Sequence, residues 1–97
     1  MSGGMTREVH AAHILVSTET EARALLDKVK AGADFGELAR RHSQCPSGKR
    51  GGDLGWFGKG QMVTEFEKAA FSGTKGSVLG PIQTQFGWHL IRVIDQR

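Results

Sequence analysis

Apolar positions along the chain follow two rhythms. Residues 9–16, Val-His-Ala-Ala-His-Ile-Leu-Val, have strand length and a β-branched, apolar character, which predicts an opening strand. Thr18-x-x-Glu21 then forms a capping box, and Ala22, Leu25, Leu26 and Val29 recur at helical spacing up to a stop at Gly32. A second box, Asp34-x-x-Glu37, predicts a shorter helix with Phe35, Leu38 and Ala39 on its inner side. Residues 43–60 hold six of the chain's 14 glycines and read as a long, functional loop. A third box, Thr64-x-x-Glu67, opens a helix carrying Phe66, Ala69 and Ala70 and ending at Gly73. Two strands close the chain, one near Gly80–Thr84 and one over Trp88–Asp95, turning at Gln85-Phe86-Gly87. The last strand is apolar on both faces, with Trp88, Leu90 and Ile94 on one and Ile91 and Val93 on the other, so it is expected at the centre of a sheet. The order β-α-α-loop-β-α-β-β predicts an α+β fold with helices around a small antiparallel sheet.

Length and composition narrow the classes. Ninety-seven residues make one domain, expected over 9–97 behind a flexible tail over 1–8, which is either native or a remnant of cloning. The mixture of 38% hydrophobic and 24% charged residues is that of a globular chain, not a disordered one. No apolar run approaches the ~20 residues of a membrane span, and residues 1–8 lack the apolar stretch of a secretory signal, so a cytoplasmic protein without membrane association is expected. The single cysteine, Cys45, agrees with a reducing compartment. The net charge of +3 is spread over scattered residues such as Lys28, Arg40, Lys49 and Lys59 rather than a stripe, which argues against a nucleic-acid partner. No oligomer interface is readable, and a monomer is the expected state.

The polar residues that stand out are His13 and His89, inside the first and last strands, with Cys45 and Thr84. Each histidine alone reads more readily as a hydrogen-bonded core residue than as a catalyst. A metal site is not expected: on a strand the rings of His10 and His13 point to opposite faces, and zinc wants about four ligands at characteristic spacing. Cys45 with either histidine could form the thiolate–imidazolium pair of a cysteine hydrolase. Against this, Cys45 follows a short helix, is not expected to head one, and no oxyanion hole is readable.

Read together, the segments resemble the parvulin family of peptidyl-prolyl cis/trans isomerases. Ala12-His13-Ile14-Leu15-Val16 resembles the parvulin opening strand, and Phe35-Gly36-Glu37-Leu38-Ala39 with Ser43 the second helix. Gly51-Gly52-Asp53-Leu54-Gly55-Trp56-Phe57 is similar to the glycine-rich signature, and Gly60-Gln61-Met62-Val63 with Phe66 to the proline-pocket segment. Pro81–Thr84 and Phe86-Gly87-Trp88-His89-Leu90-Ile91 resemble the closing hairpin, so the likeness runs from about Val9 to Ile94. The resemblance implies a four-stranded antiparallel sheet surrounded by helices, parvulin/FKBP-like, and a cofactor-free rotamase acting on proline-containing polypeptides. It implies that His13 and His89 lie side by side beneath the site with Thr84 in their network, that Cys45 lies over the rotating bond, and that Leu54, Met62, Phe66 and Phe86 hold the proline ring with Gln61 nearby. Many parvulins carry aspartate where this chain has Cys45. Phosphate-reading members carry basic residues after the first strand, where this chain has Ser17-Thr18-Glu19-Thr20-Glu21, so phosphorylated substrates are not expected. Met62 and Phe66, four apart, also fit a plain helix core, and a proline-binding chaperone module without turnover is the alternative function.

Overall fold

A computed structural model describes residues 6–97. Strand β1 (Glu8–Val16) leads to helices α1 (Glu19–Lys30) and α2 (Phe35–His42), then a short 3-10 helix (Pro46–Arg50) and β2 (Asp53–Gly58). Helix α3 (Thr64–Ser72) precedes the hairpin of β3 (Val78–Thr84) and β4 (Gly87–Gln96). The four strands form one antiparallel sheet in the order β2-β1-β4-β3, the α+β architecture expected.

Alternation along the two central strands builds a core on each face of the sheet. Ala12, Ile14 and Val16 of β1 and Leu90 of β4 pack under α1 and α2 against Leu25, Phe35 and Leu38. Val9 and Ala11 of β1 and Ile91 and Val93 of β4 face the other way and pack with Phe57 and with Phe66 and Ala70 of α3. β4 is central, with its two apolar faces divided as the sequence predicts. His13 follows Val9 and Ala11 in parity, which puts it on the α3 side of the sheet.

Several sequence expectations need correction. The predicted loop over 43–60 contains the 3-10 helix and β2, which borrows its order from pairing with β1. Thr18 and Asp34 do cap their helices, accepting the Glu21 and Glu37 amides at 3.2 and 2.9 Å. Glu37 does not return the bond; its carboxylate turns to Arg40 and Arg41. Thr64 caps nothing: Val63 is the cap residue, and Glu67 instead accepts the Gly60 amide at 2.6 Å. Of the expected tail, residues 1–5 lie outside the described residues, and its last two are ordered. The Arg7 amide donates to the Arg97 carbonyl at 2.8 Å, and the Arg97 amide to that of Glu8 at 3.0 Å. The two ends of the described chain therefore lie side by side. No helix among the described residues is long and apolar enough to cross a membrane.

Candidate active site

His13 and His89 come together because of strand register. Leu15 stands opposite His89 and His13 opposite Ile91, so the two histidines are diagonal neighbours on one face of the β1–β4 ladder. Their rings stack with centroids 5.2 Å apart, and their Nδ1 atoms lie 3.0 Å apart. Phe66 of α3 sets its ring edge-on to both, at 5.5 Å from His13 and 5.3 Å from His89.

The pair is the middle of a longer polar chain. His89 Nε2 lies 2.7 Å from Thr84 Oγ1, which accepts the Phe86 amide at 3.1 Å. At the other end, His13 Nε2 lies 3.2 Å from Ser47 Oγ. One proton only can sit between the facing Nδ1 atoms. Two proton orders are available, each the reverse of the other, and in both the rings are neutral with one ring proton apiece. The environment enforces neutrality. Burial, and then the neighbouring charge His89 would carry, lower the His13 pKa from 6.5 to about 4, and burial lowers that of His89.

The loop before β2 braces His13. The His13 amide donates to the Gly52 carbonyl at 2.9 Å, and the Gly52 amide to the Ser47 carbonyl at 2.8 Å. Gly52 has φ +85°, and a Cβ there would collide with the His13 carbonyl, so this close approach requires glycine.

Above the histidines lies a cleft of about 500 Å³. Each site residue named from the sequence lines it except Thr84, which stands behind His89. Leu54 arrives from β2, Met62 from the turn before α3 and Phe66 from α3 itself, with Cys45 and Pro46 from the start of the 3-10 helix. Phe86 arrives from the β3–β4 turn with 60% of its surface exposed. No charged side chain lines the cleft. Gln61 borders it, but its amide oxygen is committed to the Gly58 amide at 2.8 Å, so it holds the β2–α3 turn. Cys45 is half-buried and does head a helix, contrary to the sequence expectation, although that helix is the five-residue 3-10 turn. Among the described residues its thiol has no hydrogen bond to either imidazole; the side chain from this segment that reaches His13 is Ser47. Ser47 is the site residue that sequence reasoning misses. As a small hydroxyl in a glycine-rich stretch it looks like any turn residue, and only its spacing before the Gly52 brace marks it.

His10 and His13 diverge as strand parity requires. His10 Nε2 reaches Asp53 at 2.7 Å on the opposite face, and among the described residues no three His, Cys, Asp or Glu side chains gather as a metal site. Apolar walls that exclude water and a floor of neutral, hydrogen-bonded imidazoles make a site able to hold a small apolar ring and stabilise an uncharged change of polarity beside it.

The chain belongs to the peptidyl-prolyl isomerase family of this architecture: the family model "Rotamase: PPIC-type PPIASE domain" matches residues 11–95. It is 47% identical over 90 residues to the foldase protein PrsA of Geobacillus kaustophilus, covering 92% of this chain and 32% of that protein. It thus spans about a third of the length of such curated relatives. The crystal structure of PrsA from Bacillus anthracis superposes with a TM-score of 0.93 at 42% identity, over 95% of this chain and 43% of that one. NmPin, the parvulin of Nitrosopumilus maritimus, matches end to end, at 43% identity and a TM-score of 0.85 over 95% of this chain and 100% of its own.

Proposed function

We propose that the protein accelerates rotation about Xaa-Pro peptide bonds in unfolded or exposed segments of other polypeptides, without a covalent intermediate and without a need for phosphorylated substrates. The observation that carries the reading is the uncharged, apolar cleft seated on the His13–His89 pair.

Amide resonance gives the bond a barrier of roughly 18–20 kcal/mol, highest when the nitrogen has lost conjugation with the carbonyl. No bond need break. The enzyme must bind the twisted form better than either planar one. Met62, Leu54 and Phe66 grip the proline ring and keep water off the nitrogen, which disfavours the charge-separated planar amide. The carbonyl side then turns past Cys45 and the histidine floor, whose preorganised polar groups meet its altered charge. Neutral imidazoles suit this role because nothing in the step requires a proton to leave the enzyme.

Substrate charge follows from the lining. Lys49 and Arg50, on the 3-10 helix, are exposed and outside the cleft. Glu19 and Glu21, just past β1, oppose a phosphate, which is best held by clustered Arg or Lys. The test compares matched peptides with Ala, Leu, Glu or phosphoserine before proline in a protease-coupled isomerisation assay at low and moderate salt. Uncharged peptides are expected to be turned over well, with a modest, salt-sensitive gain for Glu. A preference of about a hundredfold for phosphoserine, roughly 2.7 kcal/mol, sinks the phosphate-independent reading. Absence of turnover on every peptide sinks the isomerase reading and leaves the binding module. A monomer in the cytoplasm completes the proposal, supported by the unpaired Cys45; sedimentation of the purified chain and fractionation of cells test the two parts.

A further inference from the structure

We propose that Asp53 is a positioning residue for the proline pocket: its carboxylate closes the turn that holds Leu54 in the cleft, and it does so as a hydrogen-bond acceptor rather than as a charge. The inference rests on the reading of the cleft as a proline site.

β2 carries an extra residue where it passes β1. His10 pairs with Trp56 and Ala12 with Asp53, so Leu54 and Gly55 together stand opposite Ala11. Such a bulge re-aims a side chain, and here the neighbour that lines the cleft is Leu54. The bulge needs a left-handed residue, supplied by Gly55 with φ +71°. It also needs something to stop the turn from relaxing. Asp53 Oδ1 accepts the Gly55 amide at 2.8 Å, an Asx turn wrapped around Leu54. The same oxygen meets His10 Nε2 at 2.7 Å, which buttresses the turn from β1. Leu54 is therefore carried on a two-residue span whose ends are tied by one carboxylate oxygen. Asp53 itself lies outside the cleft lining and half-exposed. Burial works to raise its pKa, but the Gly55 and His10 hydrogen bonds, with the His10 and Arg50 charges, outweigh it and hold the carboxyl below its ordinary value. An amide oxygen at the same place would close the same turn, whereas a side chain one methylene longer would not.

The experiment measures kcat and KM on a neutral Xaa-Pro peptide, together with hydrogen exchange of the Gly55 amide. Asp53→Ala is expected to raise KM roughly five- to tenfold with kcat within about twofold, and to speed Gly55 exchange. Asp53→Asn should restore both readings to near wild type, and Asp53→Glu should resemble Ala. His10→Ala removes only the buttress and should change KM at most about twofold. In a Leu54→Ala background, Asp53→Ala should add nothing further to KM, because its effect runs through Leu54. The idea is overturned by Asn behaving like Ala, by His10→Ala matching Asp53→Ala, or by additive effects in the Leu54→Ala background. If Asp53→Ala does not fold, the Asn, Glu and His10→Ala variants decide the matter alone. Failure of the underlying reading looks different: wild type without turnover, or Leu54→Ala with wild-type KM, removes the pocket and the proposal together.

Discussion

Lowering the pH should destabilise this protein through its own active-site floor. His13 is 5% exposed, and its pKa falls from 6.5 to about 4 on folding because burial and His89 both oppose its charge. The folded state thus binds fewer protons than the unfolded state throughout that interval, so stability is complete above the unfolded value and declines as pH drops. The full depression corresponds to about 3 kcal/mol, and about 2 kcal/mol of it should be lost between roughly pH 7 and pH 5. His89 is shifted in the same direction by burial and adds to the loss. The lowered carboxyls of Asp53 and Asp95 act elsewhere. Their contribution is present above the unfolded carboxylate value and goes only as pH falls through their folded values, beneath the histidine window. Set against a typical domain stability of about 5–15 kcal/mol, a loss of this size is plain in urea melts taken at closely spaced pH. NMR titration of the ring protons supplies the independent reading: His13 should stay neutral down to about pH 4. A flat stability profile between roughly pH 7 and pH 5, or a His13 ring titrating at its ordinary value, would refute the reasoning.

Substitutions at four further positions probe the site. Met62→Ala should cut kcat/KM by roughly tenfold with little change in melting temperature, since Met62 is only part-buried; Phe66→Ala, at 3% exposed against both imidazoles, should lose about 3–5 kcal/mol of stability as well, so a stable Phe66→Ala variant contradicts its place in the core. Cys45→Asp should keep substantial turnover and Cys45→Ala lose most of it; equal loss, or a trapped covalent adduct, argues for a nucleophilic thiol. Ser47→Ala leaves His13 Nε2 without its partner and should cost about 1–3 kcal/mol in melts, with the two imidazoles sharing one fixed proton order in nitrogen NMR spectra.

Local chemistry made much of this molecule legible. Thr18 and Asp34 announce helix starts because capping is settled within one turn, and the two-faced pattern of Trp88–Ile94 announces a central strand because both of its faces carry large apolar residues. What failed depends on contacts distant in sequence. β2 looks like loop because Gly55 and Gly58 dilute its pattern, and its order comes from Val9 and His10 across the sheet. Thr64 fails as a cap because the helix already begins at it: the Glu67 amide that its hydroxyl would accept donates to the Val63 carbonyl at 2.9 Å instead. Of the nine proposed site residues His13, Cys45, Thr84 and His89 stand out as polar residues, but their roles and the other five come through the family likeness; the bond joining His13 to His89 spans 76 positions, set by register that no short pattern encodes. Ser47 escapes for the same reason, since nothing around it signals that an imidazole 34 residues upstream ends on its hydroxyl.

The pairing of Arg7 and Glu8 with Arg97 gives the molecule a stalk and a mouth at opposite poles. Any neighbour joined at either end attaches at one spot, while His13, Leu15 and His89 lie toward the far end of the same two strands, on the order of 20 Å away at strand rise. A host chain could therefore detour into this unit and return beside its point of departure, carrying the cleft outward like a cup on a handle.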